Sequence, residues 1–174
     1  MPPISEELRL KLPSVLAWIQ HTLAAHANRA RTVSSVGFSV FPDYFDRSTL
    51  DRAKVVVVDR LSVPPLTRMG LAQFAEMERF TQGGITFLDT FFMTVGAERD
   101  ESRHFHELIH VIQWQRLGSE RFLLHYAEGL QAHGYRHSPL EVMAYNAQDR
   151  FNQAIIFDVE KHVAERLRAL GYAS

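Results

Sequence analysis

The sequence predicts an α+β fold, in which a small sheet of about three strands packs against helices. Three short segments before residue 96 have the β-branched or alternating apolar pattern of strands, and from about Arg99 onward the apolar residues recur at helical spacing. Strands followed mainly by helices are typical of α+β domains. A chain of 174 residues fits a single domain with its own core, so we expect one domain over residues 1–174.

The first thirty residues are predicted to be helical. After Pro13, apolar residues recur at intervals of three or four, at Leu16, Ile19, Leu23 and Ala27. This spacing is typical of an amphipathic helix. Residues 1–30 are also a candidate prosegment that packs across a cleft.

Three segments are predicted to be strands. Residues 32–45 alternate apolar and small residues, and residues 53–60 contain a continuous run of β-branched residues. Residues 85–95, "ITFLDTFFMTV", have the clearest alternation of apolar residues with threonine, interrupted by Asp89. Between the second and third segments, residues 64–84 place Leu71, Phe74 and Met77 at helical spacing, which predicts a helix.

Composition excludes several classes of function. The net charge is −1, so no long-range field would attract nucleic acid or an anionic membrane. There are no cysteines, so any metal ion must be held by His, Asp or Glu side chains. The sequence begins with acidic residues where a signal peptide has basic ones, and it has no apolar run of membrane-spanning length. We therefore expect a cytoplasmic protein without nucleic-acid or membrane partners.

The segment "HFHELIHVIQW", residues 104–114, carries the clearest chemical signal. On a helix, His106 and His110 lie one turn apart on the same side, next to an apolar face that anchors the helix in the core. Glu107 projects beside them, where it could take a proton from a zinc-activated water. H-E-x-x-H on a helix is the signature of zinc metallopeptidases. His104 points elsewhere and is expected at the surface.

A catalytic zinc needs a third protein ligand. The pattern that supplies it from a third histidine is absent, because Gln113 and Arg116 occupy the required positions. Glu141 is the favoured candidate, since it begins a predicted helix with the small Ala144 one turn later. The other candidates are Glu128, His125, His133 and His137.

Glu141 has an alternative interpretation that needs no metal. Ser138, Pro139 and Glu141 form the pattern of a capping box, with serine as the N-cap and glutamate three residues later. A capping glutamate would leave the paired histidines unexplained, whereas a metal site explains both features.

"HELIH" followed about thirty residues later by "EVMAY" resembles the gluzincin class of zinc metallopeptidases, in which E-x-x-A completes H-E-x-x-H. The resemblance covers about residues 85–157, the metal-site core, and implies a zincin-like fold. It implies that zinc is held by His106, His110 and Glu141, with Glu107 as the base. It also implies that an edge strand, for which residues 85–95 are the candidate, pairs with an extended substrate.

The groups that support such a site are less clear from the sequence. Many gluzincins carry an acidic residue shortly after E-x-x-A, whereas this chain has Tyr145 there and Asp149 one turn later. Tyr145 is the first candidate for a donor to the developing oxyanion, ahead of Tyr135 and His137. Asp89 and Asp149 are candidates to accept hydrogen bonds from the ligand histidines.

The sequence thus predicts a zinc-dependent metallopeptidase that acts on a peptide or protein. One alternative keeps the zincin-like fold and the metal in an inactive binding or regulatory module. A further alternative is an α+β interaction domain without metal, whose helix is capped at Ser138. Hydrolysis of an amide other than a peptide bond is also compatible with the motif.

Overall fold

A computed structural model of the chain describes residues 4–172. The predicted α+β class is confirmed, with a sheet of four strands rather than about three. The helices are α1 Ile4–His26, α2 Arg47–Arg52, α3 Glu101–His133, α4 Pro139–Asn152 and α5 Val159–Ala169. The strands are β1 Arg31–Thr32, β2 Lys54–Val58, β3 Gly84–Phe87 and β4 Thr90–Thr94. Within residues 4–172, none of the helices has the length and hydropathy required to cross a bilayer.

The sheet has the strand order β1-β2-β4-β3. Strand β2 confirms the predicted second strand and pairs in parallel with β4, while β3 pairs antiparallel with β4. All five residues of β4 are buried, as expected for a central strand that is covered on both faces. Strand β3 is an edge strand, and it lies against α3.

The prediction of one strand over residues 85–95 is wrong, because the segment is a hairpin. Strands β3 and β4 are joined at Leu88 and Asp89, and Leu88 has the positive φ of 58° that a tight hairpin turn requires. Glycine or asparagine usually occupies such a position, so leucine gives no local signal of a turn. The alternation therefore continues through the turn in the sequence although the chain reverses direction.

The strand predicted over residues 32–45 is also wrong. Only Arg31–Thr32 pairs as β1, and two 3₁₀ turns follow at Val33–Ser35 and Phe41–Asp43. Phe41 packs edge-on against Phe105 of α3, with ring centroids 6.2 Å apart. Aromatic packing against α3 thus determines this segment rather than strand pairing, which would have left alternate residues exposed.

The helix predicted over residues 64–84 is replaced by loops and a 3₁₀ helix at Ala72–Arg79. Leu71, Phe74 and Met77 recur at every third position, which is the period of a 3₁₀ helix as well as an allowed spacing on an α-helix. These residues line a cavity of about 480 Å³, here called the central cavity. The spacing therefore identified the buried face correctly but not the helix type.

Helix α1 begins before Pro13, earlier than the periodicity predicted, and residues 1–3 lie outside the described part of the chain. Its fully buried apolar side chains are Leu8, Leu12, Val15 and Ile19. They belong to the core and also form one wall of the central cavity. The helical assignment is confirmed over Ile4–His26, while a prosegment role for residues 1–30 stays a prediction.

Helix α3 turns back on itself at Gly118, where the backbone leaves helical geometry with φ 73° and ψ 165°. Trp114 and Phe122, four residues on either side of this turn, stack with ring centroids 4.0 Å apart. His110 and Tyr126, eight residues on either side, have ring centroids 6.4 Å apart. Residues 119–133 therefore run back along residues 101–117, a geometry the sequence analysis did not expect.

Helix α3 and the start of α4 are in close contact at Gly129. A Cβ on Gly129 would lie 2.9 Å from Cδ of Pro139 and 3.2 Å from Cβ of Ser138. Ala144 and Ala147 of α4 are fully buried, as expected at a close helix contact. This contact fixes the first turn of α4 against α3.

Substitution of Gly129 by alanine should destabilise the protein, because the new methyl group would push the start of α4 away from α3. Overpacking of this kind costs about 1–3 kcal/mol, more than alanine gains over glycine in a helix. We expect Gly129→Ala to lower the free energy of unfolding in urea by about that amount. Gln131→Ala, an exposed position on the same helix, is the control and should change the unfolding free energy by less than about 0.5 kcal/mol. An unchanged midpoint for Gly129→Ala would contradict the close contact.

Candidate metal centre

Two histidines of α3 and one glutamate of α4 meet in the interior. Nε2 of His106 lies 3.2 Å from Nε2 of His110. Oε2 of Glu141 lies 3.3 Å from Nε2 of His106, and Oε1 lies 3.3 Å from Nε2 of His110. One potential ligand atom from each residue lies within 4.8 Å of the others, and all three residues are buried. The three predicted ligands therefore come together in a group that could hold a metal ion.

The capping-box interpretation of Glu141 is wrong. Ser138 is the N-cap residue of α4, but its side chain makes no capping hydrogen bond, and its hydroxyl is buried without a partner in the described part of the chain. Oε1 of Glu141 accepts a hydrogen bond from the Tyr126 hydroxyl at 2.7 Å. The carboxylate thus points away from its own helix terminus and towards the histidines.

Two glutamine side chains fix the orientation of the histidine rings. Nδ1 of His110 lies 2.8 Å from the amide oxygen of Gln113, whose amide nitrogen donates to the carbonyl of Leu140. Nδ1 of His106 lies 3.1 Å from the amide oxygen of Gln148, whose nitrogen donates to Ser102. An amide oxygen only accepts, so each Nδ1 carries the hydrogen. In the neutral rings both Nε2 lone pairs then face Glu141, as metal ligation requires.

This arrangement fits a divalent metal ion. Oε2 of Glu141 is buried and has no hydrogen-bond partner among residues 4–172. Each oxygen of the carboxylate faces one imidazole nitrogen, Oε2 that of His106 and Oε1 that of His110. Such a set of acceptors is costly to bury without a cation. Two histidines and one carboxylate are also a known catalytic ligand set for zinc, which leaves a further position open.

Without a metal, a proton at His110 offsets part of this charge. Burial alone would lower the pKa of His110, but the negative charge of Glu141 and their hydrogen bond raise it to about 9. Burial likewise opposes ionisation of Glu141, but the charge of His110 and the close contacts with both histidine nitrogens hold the pKa of its carboxyl group well below the usual value. A metal ion would take the place of that proton.

The candidate base Glu107 lies next to this group and is 4% exposed. Its Oε2 accepts a hydrogen bond of 2.6 Å from the hydroxyl of Thr86 in β3. A Cβ on Gly84 would lie only 2.8 Å from Cδ of Glu107, so β3 can approach this carboxylate because residue 84 has no side chain. The edge strand and the base are therefore in direct contact.

Three tyrosines surround the group. The ring of Tyr145, the predicted oxyanion donor, lies 4.5 Å from the ring of His106. Tyr135 also lines the cavity; burial raises its pKa, and the charge of Glu141 and the Tyr145 hydroxyl raise it further. Burial, and next the charge of Glu141, raises the pKa of Tyr126. The hydroxyls of Tyr126 and Tyr135 therefore stay protonated, as hydrogen-bond donors must.

The structure places the other candidates away from the ligand group. Asp89 pairs with Nζ of Lys54 at 3.1 Å, and Asp149 is exposed on α4. Neither accepts from a ligand histidine, a role that Gln113 and Gln148 fill instead. The rival ligands also lie outside the group that could hold a metal: Glu128, His125, His133 and His137.

The prediction that His104 lies at the surface is wrong, since it is 1% exposed. Its ring packs edge-on against Phe38 and Phe91, at centroid distances of 4.7 Å and 5.3 Å. Its Nε2 lies 3.0 Å from the carbonyl oxygen of Glu98. His104 is therefore a core histidine, buried on the opposite side of α3 from the ligands.

The ligand group opens into a cavity of about 480 Å³. Its walls come from α1, the 3₁₀ helix, β3, both halves of α3 and the start of α4. The lining is mainly apolar, with polar groups concentrated around His106, Glu107 and Tyr145. An apolar cleft with a few convergent polar groups is the usual form of a small-molecule or peptide site.

No family model, curated protein or solved structure matches this chain. The resemblance to gluzincins therefore rests on the two motifs and on the buried group that they form.

Elemental analysis should find about one zinc ion per chain in the wild-type protein prepared with zinc. Glu141→Ala should lose most of this zinc, because the carboxylate supplies one of three ligands. Glu128→Ala removes a carboxylate from α3 outside the group and is the matched control, with unchanged zinc content. Ser138→Ala tests the cap and should also retain zinc. Equal zinc in Glu141→Ala and the wild type would contradict this site.

The metal-free protein should lose stability as the pH rises. Because the pKa of His110 is raised above its unfolded value of 6.5 to about 9, its stabilising contribution is complete below pH 6.5 and is lost through about pH 9. We expect a loss of roughly 1–3 kcal/mol in unfolding free energy over this range. The zinc-loaded protein should not show it, since zinc replaces the proton.

This pH dependence is measured by urea unfolding of both forms at pH 6.5 and 9.5. His133→Gln, which changes an exposed histidine of the same helix, is the control and should keep the difference between the two forms. A metal-free protein as stable at pH 9.5 as at pH 6.5 would show that no such proton is held.

Proposed function

We propose that this protein is a zinc-dependent peptidase of the gluzincin type. The observation that carries the proposal is the buried group of His106, His110 and Glu141 at the floor of a cavity that Glu107 also lines. A metal held only for stability would be enclosed by four ligands. Here only three protein side chains would hold the ion, and the fourth side of the site opens into the cavity, through which a substrate could reach the metal.

Zinc would be held by Nε2 of His106, Nε2 of His110 and a carboxylate oxygen of Glu141. When bound, zinc supplies Lewis-acid chemistry, polarising a carbonyl group and lowering the pKa of water. Gln113 and Gln148 keep the two imidazoles in the ligating tautomer. Tyr126 binds Oε1 of Glu141 and leaves Oε2 free for the metal.

Glu107 would act as the general base and then as the acid. Its carboxylate accepts a proton from the attacking water, whose oxygen bonds to the carbonyl carbon of the substrate. The carbon–nitrogen bond breaks, and Glu107 passes the proton to the leaving nitrogen, giving a carboxylic acid and an amine. The second proton of the water then moves from the acid to the amine, so the final products are a carboxylate and an ammonium group. The hydroxyl of Thr86 holds the carboxylate in place through this exchange.

Strand β3 would bind the substrate main chain. As the edge strand of the sheet it has one side without a strand partner among residues 4–172, and extended peptides pair with such edges. Gly84, Ile85 and Thr86 line the cavity from this strand. A peptide that pairs there would pass directly over Glu107.

Tyr145 remains our proposed donor to the developing oxyanion. It lies against His106 on the cavity side, and its neighbour Tyr135 is the alternative donor. Donors of this kind usually contribute about 10²–10³-fold to the rate.

Substitution of Glu107 by glutamine should abolish turnover and leave the metal bound. Glutamine keeps the size of the side chain but cannot accept the proton, so we expect at least a hundredfold loss of kcat on peptides that the wild type cleaves. Zinc content and unfolding midpoint should match those of the wild type. Glu101→Gln, an exposed position at the start of α3, is the control for activity.

The same variant distinguishes the proposal from an inactive binding module. If the protein binds peptides and zinc but the wild type cleaves none, and Glu107→Gln binds as the wild type does, the module is the correct description.

A further inference from the structure

We infer that the cavity selects substrates with a carboxylate on one side of the cleaved bond and an apolar group on the other. This inference names the substrate class of the proposed peptidase and therefore rests on that proposal. It follows from the order in which side chains occur along the first half of α3 and along β3.

The side chains that the first half of helix α3 contributes to the cavity change from charged to aromatic along the helix. Arg103, Glu107 and Trp114 all line the cavity from the first half of the helix. With a rise of 1.5 Å per residue, Arg103 lies about 6 Å before Glu107 along the axis and Trp114 about 10 Å after it. The axis therefore runs from a cationic side chain, past the base, to a large aromatic one.

The contacts of strand β3 and of the residue before it occur in the same order along the chain as the three side chains of α3. Nη1 of Arg103 lies so close to Gly83 that a Cβ there would be 2.6 Å away. Gly84 contacts Glu107, and the carbonyl oxygen of Thr86 accepts a hydrogen bond from Nε1 of Trp114 at 3.3 Å. A peptide paired with β3 would therefore meet the cationic side chain and the aromatic one on opposite sides of the base.

Two arginines form the cationic end. The guanidinium of Arg136 lies 4.8 Å above the ring of Tyr145, which in turn packs on His106. Arg136 takes part in no ion pair within residues 4–172, and Arg103 has only a long contact of 3.6 Å from Nε to Asp100. Both guanidinium groups can thus still bind a carboxylate, for which their planar geometry is suited.

The opposite end is apolar. Trp114 and Phe122, which stack across the reversal at Gly118, both line the cavity there. The salt bridge between Arg9 and Glu120 holds α1 beside this reversal, so the neighbouring Leu8 and Leu12, which also line the cavity, extend the apolar wall. Among the described residues of α1, those that line the cavity are all uncharged. A substrate group that fills this end would gain roughly 25 cal/mol for each Å² of apolar surface buried.

The spacing limits where the carboxylate lies. An extended peptide spans about 3.3 Å per residue, so the 6 Å between Glu107 and Arg103 corresponds to one or two residues beyond the cleaved bond. Either a C-terminal carboxylate or the side chain of Asp or Glu could reach this position. Both sources supply the same chemistry to the two arginines.

Binding to the Glu107→Gln protein tests the inference without turnover. The affinity of three short peptides would be measured by calorimetry, on zinc-loaded and on metal-free protein. Each peptide has leucine on the side that would face the apolar end of the cavity. The first ends in two alanines with a free C-terminus, the second is its amide, and the third is an amide with aspartate as the final residue. The free acid, the aspartate amide or both should bind at least tenfold tighter than the plain amide. Whichever of them does so identifies the source of the carboxylate.

Substitution of each arginine tests whether it causes the preference for a carboxylate. Adding Arg103→Gln or Arg136→Gln should reduce the preference for a carboxylate at least threefold. Arg99→Gln removes an exposed charge just before α3, outside the cavity, and should leave the preference unchanged. Replacing the leucine of the peptide by serine should weaken binding of all three peptides.

Two results would overturn the inference: equal binding of all three peptides, or no binding of any. Cleavage of the same peptides by the wild-type protein is measured in a separate assay, which tests the proposed peptidase activity. Selective binding without cleavage would refute the peptidase and leave the selectivity standing. Cleavage by the wild type together with equal binding of all three peptides would refute the selectivity and leave the peptidase standing.

Discussion

The burial of a carboxylate against two imidazoles is the constraint on which the site depends. Glu141 is 1% exposed, and an isolated charge in that position would cost several kcal/mol. Each partner around it reduces this cost: Tyr126 donates to one oxygen, while Gln113 and Gln148 direct the two Nε2 atoms inward. The other oxygen has no partner in residues 4–172. A bound cation would complete the set, and this would account for the convergence of so many polar side chains in an otherwise apolar interior.

Two glycines make this convergence geometrically possible. Gly118 adopts a positive φ that most residues avoid, and the reversal there brings Tyr126 back to the level of His110. Gly129 has no side chain, so the first turn of α4, which carries Glu141, can contact α3, which carries the two histidines. The metal group thus depends on backbone conformation at positions that contribute no ligand. Substitutions there should alter zinc affinity through the position of Glu141.

Local patterns predicted the ligands but not their support. His106 and His110 follow from helical spacing, and Glu141 follows from its place on the next helix, because ligand spacing is a local property. Tyr126, Gln113 and Gln148 were missed since their roles depend on the reversal at Gly118 and on a contact between helices, which no short segment specifies. The hairpin at Leu88 was missed for a similar reason, as leucine gives no signal for positive φ. Fold class and buried faces were predictable because they need only periodicity.

In the proposed peptidase, strand β3 would hold both the general base and the substrate. The same four residues form an edge of the described sheet, hold Glu107 through Thr86 and approach it through Gly84. A side chain at residue 84 would separate the strand from the base, so the distance between a paired substrate and Glu107 is set by the backbone rather than by a flexible loop. Positioning of this kind is a large part of enzymatic rate enhancement. It also means that the cationic and apolar ends of the cavity stay at fixed distances from the bond to be cleaved, since both are attached to the strand and the helix that hold the base.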